Sequence, residues 1–257
     1  MLLNRRHRSL ICVVSVVCFL IVGIISPSFA KKKRTIFVLK PNSQVTIKGS
    51  STINHWSCQS SQVEGAIQVG APTKRIKQFI NRVEKKIDSG SVPVLTPDLQ
   101  LPVSSPPRVL IKIPVDSFDC GRKAMNEDMY EALKIQKQPK IIYQLYSLNG
   151  AQVKLKPPNK PPFFRLNTNG GLALAGIGKT LDIPLQLRHE GNLHFKVNAS
   201  VARKMSDFNI TPPTALFGLI KAHNDITIEF DLAVKPAQNN KQFVEKKVIE
   251  SDKKVQN

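Results

Sequence analysis

Apolar residues recur at every second position through much of this chain, and that period commits its backbone to β-structure. Ile226, Ile228, Phe230, Leu232 and Val234 alternate with polar residues such as Thr227, Glu229 and Asp231. Leu181, Ile183, Leu185 and Leu187 alternate with Asp182, Pro184, Gln186 and Arg188, and Leu193, Phe195, Val197 and Ala199 with His194, Lys196, Asn198 and Ser200. Val45 and Ile47, the run from Val63 to Val69, and Val109, Ile111 and Ile113 repeat the pattern; Ile141–Leu148 and Leu172–Ala175 show it more weakly. Successive side chains of a strand point to opposite faces, so each segment has one apolar and one polar face, as in antiparallel sheets that are wet on one side. About eight such strands predict an all-β barrel or sandwich, and closing the sheet removes the unpaired edges that invite aggregation.

Two segments carry a helical period instead. Ile76, Phe79, Ile80, Val83 and Ile87 predict an amphipathic helix over about Lys74–Asp88, and Met125, Met129, Ala132 and Leu133 a shorter one over Met125–Lys134. Pro93, Pro97, Pro102, Pro106 and Pro107 follow the first helix, so about 73–107 reads as a surface excursion from the sheet. Lys156–Pro162 is a second proline-rich connection, and the tail over 236–257, rich in Lys, Gln and Asn, lacks the apolar residues to build a core. One folded domain over 35–235 is expected.

The N-terminus reads as an export signal. Arg5, Arg6 and Arg8 precede an apolar run from Leu10 to Ile25, and Ser28-Phe29-Ala30 supplies small residues for cleavage after Ala30. The run of 16 residues is short of the ~20 that span a bilayer, although a retained anchor is the alternative. The expected location is the periplasm or the exterior. Without residues 1–30 the chain holds 35 basic and 18 acidic residues, a formal +17. That balance favours anionic partners such as acidic lipid headgroups, or describes a solvated basic surface; export argues against nucleic acid. Cys12 and Cys18 leave with the signal, and Cys58 and Cys120 remain. An even pair in an exported protein suggests one disulfide, which by loop-closure entropy would stabilise by roughly 4 kcal/mol; the alternative is two reactive thiols.

Catalytic and metal motifs are absent from the sequence. In Ile53–Ser60, INHWSCQS, His55 and Cys58 are three apart and face opposite sides of a strand, which is poor geometry for a shared metal. No G-x-S-x-G elbow is present. Gly176-Ile177-Gly178-Lys179-Thr180 echoes a phosphate loop, but Ala173 stands where its first glycine belongs, so it reads as a turn between strands. No enzyme activity, cofactor or metal is expected. The apolar faces are the positive signal: a closed sheet of about eight strands either packs solid or holds one small ligand. Small residues at Gly65, Ala173 or Ala175, and Ala199 leave room, and Met125 and Met129 offer adaptable packing.

Four segments together resemble the YceI-like, polyisoprenoid-binding family. They are SSTINHWSCQSSQVEGAIQV (Ser50–Val69), MNEDMYEALKIQKQPKIIYQL (Met125–Leu145), GGLALAGIGKTLDIPLQL (Gly170–Leu187) and MSDFNITPPTALFGLIKAHNDITIEFDL (Met205–Leu232). The resemblance implies an eight-stranded, lipocalin-like antiparallel barrel with one or two short helices, an apolar central channel, a periplasmic location and a long isoprenoid or similar lipid as ligand. It also implies the Cys58–Cys120 disulfide, through a Trp-x-Cys strand and a later Cys-Gly. On this reading the channel wall is Phe195, Leu187, Phe230, Ile111, Tyr143 and Leu174, with Phe208 and Phe217 near one rim. The rival reading is a non-catalytic envelope module that docks through its basic excursion and tail.

Overall fold

Eight strand courses close on one another in the computed structural model, which describes residues 34–88, 107–154 and 163–237. The strands are β1 (Thr35–Leu39), β2 (Gln44–Ser51), β3 (His55–Ser60), β4 (Glu64–Val69), β5 (Arg108–Pro114), β6 (Lys140–Lys154), β7 (Phe163–Leu174), β8 (Ile177–His189), β9 (Phe195–Lys204), β10 (Thr214–Ala215) and β11 (Ile220–Pro236). Helix α1 (Thr73–Asp88) lies between β4 and β5, and α2 (Lys123–Ala132) between β5 and β6. β1 and β2 form one broken course; it pairs on one side with the broken course of β4 and β3 and on the other with β11. The β1–β11 ladder closes the barrel, all of it antiparallel.

The break between β1 and β2 is satisfied by a side chain. Buried Ser43 donates its hydroxyl to the Ala233 carbonyl and accepts from the Ala233 N–H, at 3.2 and 3.1 Å. A buried backbone group without a partner costs about as much as a lost hydrogen bond, so the serine lets the course bend without that penalty.

Alternation does what the sequence pattern demands. Ile226, Ile228, Phe230, Leu232 and Val234 of β11 are all buried, while Glu229 and Asp231 on the outer face pair with Lys48 and Lys196. Helix α1 turns Ile76, Phe79, Ile80 and Val83 inward onto Phe37, Phe164, Phe195 and Val234, and so stops one end of the barrel. Its Glu84 also meets His189 of β8 at 2.7 Å. Helix α2 covers the other end, with Met129 and, just past its last residue, Leu133 in the main core.

Strand β1 has no counterpart in the sequence reading, and β6 and β7 run well past the expected spans. In β6 the ladder shifts register between Leu145 and Ser147 and again between Leu148 and Ala151, and such bulges erase the period of two. Helix α2 stops before Lys134, which takes a left-handed backbone. Ala175 and Gly176 form the β7–β8 turn, whereas residues 177–180 of the phosphate-loop echo, expected in a turn, open β8. The expected signal over 1–30, the proline-rich stretches over 89–106 and 156–162, and the tail from 238 lie outside the described residues.

Candidate functional site

Among the described residues, two apolar cavities lie in series along the barrel. Following β11 from its start, Ile226 lines an outer pocket, Ile228 lines neither cavity, Phe230 and Leu232 line an inner cavity, and Val234 packs under α1. Strand β7 gives the same order in reverse. Phe164 packs under α1, Leu166 and Thr168 line the inner cavity, Leu172 lines neither, and Leu174 reaches the outer pocket. Between the cavities lies a layer of buried aliphatic side chains: Ile113, Ile141, Leu172, Leu181, Val201 and Ile228. None of these six side chains lines either cavity.

The inner cavity has a volume of about 220 Å³. An apolar cavity of about 150 Å³ already stays dry and accepts benzene, so this one is large enough for a hydrocarbon segment. Its wall is aliphatic and aromatic except at Tyr143 and Thr168. Thr168 donates its hydroxyl to the Ile183 carbonyl at 2.7 Å, and the Tyr143 hydroxyl lies 3.5 Å from the threonine oxygen. The threonine proton is thus committed to the backbone, and the phenol makes only this long contact. Burial raises the Tyr143 pKa above its ordinary value, and the Thr168 hydrogen bond partly opposes the rise. The Tyr143 and Phe230 rings meet at 6.4 Å on the side towards the aliphatic layer. Gly170 makes room for the phenol, because a Cβ there would sit 2.7 Å from its oxygen.

The outer pocket, about 450 Å³, lies under α2 and falls in the range of small-molecule sites. Met125 and Met129 of α2, Trp56 of β3, Met205 and Ile210 supply much of its apolar surface, and Arg122, Asp128 and Asn54 supply polar atoms. The disulfide Cys58–Cys120 ties β3 to the segment that leads into α2. Gln59 and Asp119 exchange both backbone hydrogen bonds beside it, at 2.8 and 2.9 Å. Tyr130 donates its hydroxyl to the Phe118 and Asp116 carbonyls, and burial, then Asp116 and Asp119, raise its pKa. The helix over the pocket is thus held to the barrel wall by a covalent bond, a β-bridge and a phenol.

The disulfide disposes of Cys58 as a nucleophile. His55 is exposed. Among the described residues no three His, Cys, Asp or Glu side chains gather as metal ligands.

Of the wall residues expected from sequence, Ile111, Tyr143, Leu187 and Phe230 line the inner cavity and Leu174 the outer pocket. Phe195 sits in the α1 stopper against Phe37, with ring centroids 5.8 Å apart. Phe208 is fully buried in a single helical turn (Met205–Phe208), and Phe217 stands wholly exposed. Neither lines a cavity. The sequence reading did not single out Trp56, Met205, Ile210 or Ala222 as a wall; Leu174, Met125 and Met129 were its signals for this end of the barrel.

The profile of the YceI-like domain matches residues 38–234. Among solved structures, BcnA of Burkholderia cenocepacia superposes with a TM-score of 0.51 at 14% identity, over 76% of this chain and 98% of that one. A polyisoprenoid binding domain from Saccharophagus degradans, described as implicated in plant cell wall breakdown, gives 0.51 at 10% identity, over 80% and 100%. Identities this low speak for the fold alone. No curated protein sequence matches the chain.

Proposed function

The chain belongs to the YceI-like domain family, and on that premise we propose that it is an exported, non-catalytic protein that sequesters or carries a long apolar chain, such as an isoprenoid quinone or a polyprenol. The observation that carries this reading is the inner cavity, whose lining among the described residues is apolar but for Tyr143 and Thr168, and Thr168 already donates to the Ile183 carbonyl. Such a wall has little to offer a polar substrate and much to offer hydrocarbon. Each methylene moved from water into it contributes roughly 0.8 kcal/mol. The fold shared with a domain described as polyisoprenoid binding supports the same ligand class.

The polar end of the lipid belongs at the outer pocket, where Arg122, Asp128 and Asn54 stand at the mouth and Met125 and Met129 yield to an irregular chain. A tail seated there meets the aliphatic layer, with the inner cavity on its far side. The basic leader, its apolar run and the oxidised cysteine pair support export to the periplasm or beyond.

Native mass spectrometry of the protein purified after export tests the proposal. A co-purifying lipid, or stoichiometric uptake of added polyprenol by the stripped protein, is expected. Absence of both overturns it.

A further inference from the structure

Five large apolar residues are exposed among the described residues; of these Ile53 and Leu216 line the outer pocket, and Phe217 and Leu219 lie in the loop between Leu216 and Ile220, which also lines it. These four are 66%, 63%, 109% and 79% exposed. Three occupy the tip of the hairpin between β10 and β11, where Ala215 pairs with Ile220 and residues 216–219 form the loop. The fourth is at the tip of the β2–β3 hairpin, and the two tips are joined: the Thr52 N–H donates to the Lys221 carbonyl at 3.0 Å, and the Lys221 N–H to the Thr52 hydroxyl at 3.3 Å.

The β10–β11 tip is held in a costly shape. Leu216, Phe217 and Gly218 all have positive φ, at 49°, 53° and 88°. For residues with a side chain this conformation is disfavoured by sterics. The turn keeps Phe217 out of the pocket and away from the barrel wall. Arg122 and Asp128 line the pocket beside the tips, Lys221 follows the β10–β11 tip and bonds to Thr52, and Lys123 beside Arg122 pairs with Glu127. Four side chains are far fewer than the 20–30 residues per side of a stable protein interface, so a second copy of the chain is a poor occupant. Apolar tips backed by a small excess of cations fit a lipid bilayer, with rings and branched chains in the acyl boundary and ammonium and guanidinium groups at the phosphates.

We propose that Ile53, Leu216, Phe217 and Leu219 insert into the interface of an anionic lipid bilayer and set the mouth of the outer pocket on the membrane. This rests on the reading of that pocket as the lipid's entrance. It places the source of the cargo directly under the opening, so a tail can pass from bilayer to protein without crossing water.

The test is tryptophan depth quenching with vesicles of phosphatidylglycerol and phosphatidylcholine that contain brominated acyl chains. A reporter is placed at the tip (Phe217→Trp) or on the exposed face of α1 at the opposite end (Asn81→Trp), each in a Trp56→Phe background. Where that background fails to fold, Trp56 is kept and the difference from the parent chain is read. The tip reporter is expected to shift blue and to be quenched on vesicle addition, and the α1 reporter to be unaffected. A Phe217→Ser, Leu219→Ser double variant should lower vesicle partitioning by about tenfold or more. Quenching at position 81 instead would show docking through the basic face of α1, which exposes Lys74, Arg75, Lys77, Arg82 and Lys85, and overturns the proposal. A blue shift at position 217 without vesicles would show self-association and also overturns it. Lipid content, measured separately on the same variants, reports on the carrier reading: membrane docking by a protein that never holds lipid sinks that reading and leaves the docking surface standing.

Discussion

Replacing Ala199 by leucine separates a ligand seat from an incidental void. Ala199 faces the inner cavity, between Leu185 of β8 and Phe230 of β11 in the ladder. The substitution adds three carbons to a cavity of about 220 Å³. At roughly 0.8 kcal/mol for each carbon taken out of water, the lipid-free protein gains about 2.4 kcal/mol. For a domain of this size that corresponds to a rise in Tm of about 5–10 °C. The same side chain occupies the space a lipid tail would take, so uptake of a long prenyl chain should fall while stability rises. Differential scanning calorimetry on stripped protein reads the first effect, and titration with a fluorescent polyprenol analogue reads the second. If no cavity exists in solution, the leucine overpacks the barrel and costs typically 1–3 kcal/mol. A lowered Tm therefore refutes the hollow interior. A raised Tm with undiminished uptake refutes the assignment of that interior to the lipid.

Two further outcomes follow from the same structure. Removing the disulfide with Cys58→Ala and Cys120→Ala opens a loop with a sequence separation of 62 residues. The chain-entropy relation puts the loss near 4 kcal/mol, or a fall in Tm of about 8–16 °C, and an unchanged thermal midpoint would contradict the clamp assigned to this bond. Tyr143 supplies a pH dependence: its pKa in the fold is raised above that of the unfolded chain. Below pH 10 both states hold the proton. Above it the unfolded chain ionises first, binds fewer protons, and stability falls until pH passes the raised value. Tyr143→Phe should flatten part of this alkaline loss in urea unfolding midpoints; Tyr130, also raised, accounts for another part.

The strands were legible because the period of two is local. Each inward residue of β11 from Ile226 to Val234 can be read off its neighbours, and each is buried. What the period does not carry is depth along the barrel axis. Leu174 and Phe195 both point inward, yet one reaches the outer pocket and the other lies in the stopper at the far end. Depth is set by the stagger between strands remote in sequence, such as Ile228 of β11 against Val201 of β9 and Ile47 of β2. The aliphatic layer is a product of that stagger, and no single segment announces it. Phe208 and Phe217 show a different limit. Nine residues apart in a stretch without period, one is sealed in a helical turn and the other carried out on a left-handed hairpin tip.

The aliphatic layer also bears on which lipids the proposed carrier would hold. Displacing large side chains from a packed layer costs on the order of 2–5 kcal/mol for each one that loses its contacts. A short tail ends in the outer pocket and has nothing to offset that cost. A longer one gains roughly 0.8 kcal/mol for every methylene that passes beyond Ile228 and Leu172 into the inner cavity, so several buried carbons balance one displaced side chain. A stopper at Phe37, Phe164 and Phe195 under α1 then limits how far the chain can go. The carrier reading therefore predicts a minimum and a maximum tail length for uptake, read by titrating the stripped protein with prenyl chains of graded length. A continuous channel would impose neither bound, and affinity that climbs with each added isoprene contradicts the prediction.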